Sequence, residues 1–254
     1  MHRIAVSFEP PVARLELNAP PVNVIDRDLM TELQHRLDDI ENHDNIRYVI
    51  VESAIPGRFS AGVSVPEHHP DKAPEMIQQF HQLMKRWLLL RPYTIAKVSG
   101  FAYGGAAEWL LMFDRVYAVP DAAIGFPEIK LAFFPPIALV VLPDIIGYHR
   151  ASQMILSGET PSAQTWATLG WDIQICPPDT MDASIRTWVE TLENHSHPVT
   201  QLTRQALQKL HAKRWIQRMD EAETVFIRDL LTLADPAEGV RAFVEKRKPV
   251  WQHR

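Results

Sequence analysis

The order of strand-like and helix-like patterns along this chain restricts its fold more than any other feature. Residues 3–8 and 12–17 alternate apolar and polar side chains, which predicts two paired strands turned by Pro10-Pro11. Further strand-like runs, separated by helix-like stretches, lie at 47–51, 94–98 and 115–119. This repeated strand–strand–helix order predicts an α/β architecture in which helices cover sheets.

Helix signals become continuous toward the C-terminus. Asp26 is predicted to cap a first helix with an apolar stripe, and the stretches 72–90 and 106–113 predict two more. No low-complexity linker precedes the last part of the chain, so we expect it to pack closely on the α/β core. In that part the pattern is wholly helical, over 180–194, 198–212, 216–233 and 236–247, with a break between the first two at 194–198.

Charge and cysteine content exclude several classes of function. The 254 residues carry a formal net charge of −5, whereas general binding to nucleic acid or to anionic membranes needs a basic excess. The single cysteine, Cys176, cannot form an internal disulfide and is expected to be an inert thiol. The N-terminus lacks the apolar run of a signal peptide, and no run of about 18 apolar residues occurs. We therefore expect a cytoplasmic protein without a membrane span.

Two segments rich in small residues follow predicted strands. The first is Arg58-Phe59-Ser60-Ala61-Gly62-Val63, and the second runs from Gly100 to Glu108 and contains Gly104-Gly105. Where side chains are small, backbone N–H groups can approach a ligand closely, and two such groups that face one point form an oxyanion hole. Taken singly, each segment is more often a tight turn.

Two glutamates, Glu108 and Glu128, lie among apolar neighbours. A carboxylate in such surroundings is poorly solvated, so its charge must be matched or its pKa raised. Two carboxyl groups of this kind suit the delivery and removal of protons. The residues alone leave a second interpretation open, in which each glutamate pairs with an arginine or lysine, or caps a helix.

Three motifs, in this order, resemble the crotonase (enoyl-CoA hydratase/isomerase) superfamily. They are Phe59-Ser60-Ala61-Gly62-Val63, then Gly100-x-Ala102-x-Gly104-Gly105-x-x-Glu108, then Phe126-Pro127-Glu128-Ile129-Lys130-Leu131. Further agreement at 18–24 and 238–249 extends the resemblance over nearly the whole chain. It implies an α/β fold with a crotonase-like ββα spiral core at residues 1–190 and a C-terminal helical trimerisation segment at 191–254.

The resemblance also implies roles for individual residues. The backbone N–H groups of Val63 and Gly105 would form an oxyanion hole for a thioester oxygen. Glu108 and Glu128 would flank a catalytic water. The residues implied in acyl binding are Ser60, Ala61, Gly62, Gly104, Pro136 and His81, and those implied in coenzyme A binding are Phe243 and Lys246. The implied partner is an acyl-CoA substrate, with no further cofactor and no metal, and the implied assembly is a homotrimer or homohexamer.

The reaction implied by the resemblance is the addition of water to an α,β-unsaturated acyl-CoA, or its removal. Residues 65–72 and 128–136 look like those of cyclic dienoyl-CoA hydratases, in particular cyclohexa-1,5-diene-1-carbonyl-CoA hydratase. Ser64, where many relatives have Asp, and Pro136, which replaces a glycine, are departures that leave the substrate open. Two alternatives remain. One is an isomerase or decarboxylase that uses a single acid/base residue, and the other is a non-catalytic accessory subunit that binds acyl thioesters.

Three histidines near these motifs have a structural alternative to a role in binding. His81 lies on the amphipathic helix predicted at 72–90, where a packed or surface position is favoured over a place in the acyl pocket. His68 and His69 are expected on a loop surface, with contact to the acyl group as the less favoured alternative. A metal site is not expected, because adjacent side chains point in different directions.

Overall fold

The computed structural model describes residues 2–254, which form eleven strands and nine α-helices. The strands are β1 (Ile4–Glu9), β2 (Val12–Leu17), β3 (Val24–Ile25), β4 (Tyr48–Ser53), β5 (Arg58–Ser60), β6 (Gly62–Val63), β7 (Tyr93–Val98), β8 (Phe101–Tyr103), β9 (Arg115–Ala118), β10 (Ile124–Gly125) and β11 (Ile173–Ile175). The helices are α1 (Arg27–Glu41), α2 (Ala73–Leu88), α3 (Gly105–Leu110), α4 (Pro136–Ile146), α5 (Tyr148–Ser157), α6 (Ala163–Leu169), α7 (Met181–Glu193), α8 (His197–Arg228) and α9 (Asp235–Val244).

The larger of the sheets has six strands in the order β1-β2-β4-β7-β9-β11. β1 and β2 pair antiparallel, with Ile4 opposite Leu17, which confirms the hairpin predicted at 3–8 and 12–17. All later neighbours in this sheet are parallel. Parallel neighbours need crossover connections, and helices supply them here.

A second sheet has three parallel strands in the order β10-β8-β5. Each of the strands β4, β7 and β9 is followed along the chain by one strand of this smaller sheet. The chain therefore advances by one strand in both sheets with each repeat, and α2, α3 and α4 follow the three repeats. This is a ββα spiral, and the predicted fold class is confirmed.

The first two helices form where their apolar residues recur with helical period. Asp26 caps α1 as predicted, because its Oδ1 accepts a hydrogen bond of 2.8 Å from the Leu29 N–H. The apolar stripe of α1 is buried, and it includes Leu33 and Leu37. On α2, Phe80 and Trp87 belong to the buried face that packs into the core between the helix and the sheets.

The C-terminal helices differ from the prediction in one respect. The break predicted at 194–198 is present, since α7 ends at Glu193 and α8 begins at His197. The separate helices predicted at 198–212 and 216–233 are wrong, because α8 runs through both as one helix of 32 residues. Residues 213–215 contain no glycine or proline, so nothing there ends the helix.

The helical segment shares its core with the rest of the chain. Ala212, Met219 and Phe226 of α8 are buried and belong to the main hydrophobic core. The close packing expected for this part of the chain is therefore present, while the division at residues 190 and 191 stays a prediction. None of the helices in residues 2–254 is long and apolar enough to cross a membrane.

Candidate active site

The three motifs meet at one edge of the smaller sheet. Residues 61–63 follow β5, Gly104 follows β8, and Glu128 follows β10 in a short 3-10 helix (Pro127–Leu131). Because β5, β8 and β10 are parallel neighbours, their carboxyl ends lie side by side. The sheet thus collects segments that are far apart in sequence at one place.

The backbones of the two small-residue segments are in direct contact. A Cβ atom added to Gly105 would lie 2.5 Å from Val63 Cγ2, and one added to Gly62 would overlap the carbonyl oxygen of Tyr103. Gly104 has φ +55°, a conformation that side chains other than glycine rarely adopt. Small residues are therefore required by this close approach, and they bring Val63 beside Gly105.

Val63 and Gly105 both line a cleft of about 500 Å³. Gly105 is the first residue of α3, so its N–H has no carbonyl partner within that helix. Such a group is available to an acceptor in the cleft. The oxyanion hole remains a prediction that this arrangement favours.

Buried polar side chains hold the loop before Val63 in place. Ser60 Oγ donates to the carbonyl of Asn23 at 2.6 Å and accepts from the Gly62 N–H at 3.0 Å. The amide of Asn23 in turn donates to the Phe59 carbonyl at 2.9 Å. Ser60 itself does not line the cleft, whereas Ala61, Gly62 and Gly104 do. Ser60 therefore supports the loop from behind.

Glu108 projects from α3 toward the start of α4. Its Oε1 accepts hydrogen bonds from the N–H groups of Ile137 at 2.8 Å and Ala138 at 3.1 Å. Burial raises the pKa of Glu108 from its ordinary 4.5 to about 7, and the two N–H groups act in the opposite direction. Pro136 is buried at the first position of α4 and does not line the cleft.

Glu128 lies directly beside Gly104. Its Oε1 would be 3.0 Å from a Cβ atom at Gly104, and its Oε2 is buried without a hydrogen-bond partner among the described residues. Burial raises the pKa of this carboxyl well above its usual range, and the negative charge of Glu108 raises it further. Glu128 lines the cleft, whereas Glu108 does not.

The two carboxyl groups form a pair in which ionisation of one opposes ionisation of the other. No cation in residues 2–254 forms a salt bridge with either glutamate, so the ion-pair alternative is wrong. The helix-cap alternative does describe Glu108, whose Oε1 accepts from two N–H groups in the first turn of α4. Glu108 has two N–H donors to stabilise its anion and Glu128 Oε2 has none, so the charge belongs on Glu108 and the proton on Glu128. Such a pair offers a base and an acid side by side.

The remaining predicted residues are divided between the cleft and its surroundings. Phe243 lines the cleft with its ring half exposed, and Lys246 follows α9 close behind it in sequence. His81 is fully buried and does not line the cleft, because its Nδ1 lies 2.7 Å from Glu223 Oε2, where α2 packs against α8. The packed alternative for this histidine is therefore the one that the structure has.

The sequence interpretation missed part of the cleft wall. His68, expected on a loop surface, lines the cleft, and so do Phe133 and Lys130. Phe133 is tied to the catalytic candidate by a hydrogen bond of 3.0 Å from its N–H to the Glu128 carbonyl. The signal in the sequence that could have predicted its place in the cleft was its position, five residues after Glu128. In the described part of the chain no group of three His, Cys, Asp or Glu side chains is arranged to hold a metal ion.

Comparison with known proteins identifies the family of this chain. The profile of the family described as enoyl-CoA hydratase/isomerase matches residues 7–254. Cyclohexa-1,5-dienecarbonyl-CoA hydratase of Thauera aromatica is 28% identical over 241 residues, which cover 95% of this chain and 93% of that protein. The 2,3-dehydroadipyl-CoA hydratase of Escherichia coli (strain K12) is 28% identical over the full length of both chains.

A solved structure gives the same result for the fold. The crystal structure of an enoyl-CoA hydratase from Bacillus halodurans has a TM-score of 0.87 at 18% identity, and the match covers 95% of this chain and all of that chain. The superfamily identified from the three motifs is thereby confirmed. The chain belongs to the enoyl-CoA hydratase/isomerase family.

Proposed function

We propose that this protein adds water to the α,β-double bond of an enoyl-CoA, or removes it in reverse, as a carbon–oxygen lyase. One observation carries the proposal: two buried carboxyl groups without a counter-ion influence each other's ionisation, and one of them, Glu128, lines the cleft that Gly105 also lines. Stability alone does not require two carboxyls without a cationic partner to lie near enough to oppose each other's ionisation.

The proposed chemistry uses each group in the state that its surroundings favour. The thioester oxygen accepts hydrogen bonds from the N–H groups of Val63 and Gly105, which makes the β-carbon electrophilic and stabilises the enolate. Water forms a bond to the β-carbon as the Glu108 carboxylate takes its proton. Glu128 then delivers its own proton to the α-carbon. The pair has the same single negative charge before and after the reaction, and between the two proton transfers both carboxyls are protonated while the enolate carries the charge.

Glu108 can take part although it does not line the cleft. Its Oε1 is occupied by the α4 backbone, but its Oε2 is not among the polar atoms buried without a partner in the described chain. A water molecule held between this oxygen and the protonated Glu128 would have one acceptor and one donor. That arrangement supports a water-activating role for Glu108.

A cyclic dienoyl-CoA is the proposed substrate class. The support is the named activity of the Thauera aromatica relative together with the wall of the cleft, where Val24, Leu131 and Phe133 offer apolar surface. The coenzyme would leave the cleft past Phe243, and Lys246 would pair with its phosphates. Lys246→Gln should then weaken binding of crotonyl-CoA more than of crotonyl-pantetheine.

The proposed assembly is a homotrimer or homohexamer. The N-terminal half of α8 exposes large apolar side chains, among them Leu202 at 67% and Leu210 at 75%. Exposed apolar residues on one helix support association through the C-terminal segment. Sedimentation of the purified protein measures the number of subunits.

Loss of enoyl absorbance on mixing with crotonyl-CoA and with cyclohexa-1,5-diene-1-carbonyl-CoA tests the reaction. We expect turnover that falls by roughly 100-fold or more in both Glu108→Gln and Glu128→Gln. Glu190→Gln, on the exposed face of α7, is the matched control and should retain activity. Tight binding of these thioesters without turnover by the wild-type protein would favour a non-catalytic accessory subunit.

A second function, isomerisation of a 3-enoyl-CoA, is favoured by one feature of the site. Only Glu128 lines the cleft, and a single carboxyl suffices to move a proton between two carbons of the substrate. Isomerase activity that survives Glu108→Gln and is lost in Glu128→Gln would select this function. Loss of the hydration activity in both variants would select the hydratase.

A further inference from the structure

His68 places an imidazole ring at a part of the cleft wall where several of its neighbours are apolar. It lies at the end of a short 3-10 helix (Val65–His68) and lines the cleft together with Val65, Leu131 and Phe133. Its ring meets the ring of Phe133 edge-on, with centroids 5.2 Å apart. The proposed chemistry uses no polar group at this position.

The tautomer of His68 is fixed by the backbone. Nδ1 lies 2.9 Å from the carbonyl oxygen of Ser64, and a carbonyl oxygen can only accept, so Nδ1 carries the hydrogen. Burial lowers the pKa of His68 below its ordinary 6.5, against the opposing effect of the Ser64 carbonyl, so the ring is neutral at pH 7. Nε2 is therefore a hydrogen-bond acceptor.

This acceptor remains available to a ligand. No hydrogen bond in residues 2–254 uses His68 Nε2, and the atom is not among those buried without a partner, unlike His81 Nε2. Phe133, buried and stacked on Phe226 with centroids 5.8 Å apart, holds one side of the His68 ring. The position of Nε2 is thus set from two directions, by Ser64 and by Phe133.

The group that fits a neutral acceptor among apolar walls is a hydroxyl. An ammonium group would have to lose its hydration shell without a counter-ion, and a carboxylate would face the lone pair of Nε2. We propose that His68 is a specificity-determining residue, which accepts a hydrogen bond from a hydroxyl group on the acyl chain away from the reacting carbons. This inference rests on the proposed function, since it assumes that an acyl thioester occupies the cleft.

Binding of saturated thioesters tests the inference without a need for turnover. The ligands are hexanoyl-CoA and its 4-, 5- and 6-hydroxy derivatives, titrated calorimetrically into the wild type, His68→Phe and His68→Gln. The matched control is His69→Phe, since the neighbouring histidine does not line the cleft. The quantity compared is the ratio of the Kd of hexanoyl-CoA to the Kd of each hydroxy derivative.

For at least one hydroxyl position we expect this ratio to fall about five- to tenfold in His68→Phe, as the loss of one neutral hydrogen bond predicts. It should recover in part in His68→Gln, which keeps an acceptor, and stay at the wild-type value in His69→Phe. Ratios in both His68 variants that equal the wild-type ratio at all three positions would overturn the inference alone. Failure of the wild-type protein to bind any of the four thioesters would instead contradict the proposed function.

Discussion

Glu108→Gln should make the protein more stable at alkaline pH while it abolishes catalysis. The side chain is 3% exposed, and the pKa of its carboxyl rises from 4.5 to about 7 because burial penalises the anion more than two N–H donors favour it. At about 1.4 kcal/mol for each pKa unit, keeping Glu108 ionised in the folded protein costs about 3 kcal/mol. Glutamine has nearly the same shape and keeps an acceptor for Ile137 and Ala138, but it never carries this charge.

The size of this difference in stability depends on pH. Below about 4.5 the carboxyl is protonated in both the folded and the unfolded chain, so its ionisation contributes no difference in stability between wild type and variant. Between 4.5 and 7 the unfolded chain loses the proton first, so the stability of the wild type falls as pH rises. Above 7 both states are ionised, and the difference should stay near its full value of at most about 3 kcal/mol.

Urea unfolding followed by circular dichroism at pH 5, 7 and 8.5, at one protein concentration, measures this difference. Glu190→Gln removes an exposed carboxyl from α7 and is the control for the loss of one charge. The midpoint of Glu108→Gln should exceed that of the wild type increasingly from pH 5 to 8.5. A variant that is no more stable than the wild type at pH 8.5 would show that Glu108 is not ionised at a cost, and the assignment of the charge to this residue would be refuted.

Three further predictions concern the cleft. Gly105→Ala places a Cβ 2.5 Å from Val63 Cγ2 and 3.1 Å from Phe80 Cζ, so kcat/KM should fall by roughly 100-fold as the two backbone segments move apart; wild-type kcat/KM would contradict the contact. Phe226→Ala removes a ring that is 1% exposed and supports Phe133, so unfolding in urea should show a loss of about 3–5 kcal/mol, with KM raised more than kcat is lowered. The pH profile of kcat/KM should rise through about 7 as Glu108 ionises, and a kcat/KM that is independent of pH from 5 to 8 would exclude it as the base.

Much of the fold could be predicted because its signals are local. The alternation at 4–17, the cap at Asp26 and the buried stripe of α2 each depend on residues only a few positions apart. The end of a helix is a weaker signal. The helix α8 passes through 213–215 because helix-forming residues continue there. A change in the pattern of apolar residues along a helix does not by itself break its backbone.

The site was predictable where a motif fixes the backbone, and less so where packing decides. Gly62, Gly104 and Gly105 mark a close approach of two segments that only small residues permit. No local pattern in the sequence predicts where a histidine side chain will lie, because its burial and its contacts depend on elements that are distant in sequence. His81 is held by Glu223, 142 residues away, while His68 contacts Phe133 and enters the cleft. His81 thus has the packed position that was favoured for it, whereas His68 lines the cleft and not the loop surface that was expected.

In the proposed reaction, backbone groups near the two glutamates determine which carboxyl acts as the acid and which as the base. Both carboxyls are buried and close enough to influence each other, so ionisation of one opposes ionisation of the other. The start of α4 breaks the symmetry. Pro136 occupies the first helical position, where a missing N–H costs nothing, and the next two N–H groups both donate to Glu108 Oε1. Glu128 Oε2 has no such donor among the described residues, which favours the proton there, and in the proposed reaction Glu128 acts as the acid and Glu108 as the base.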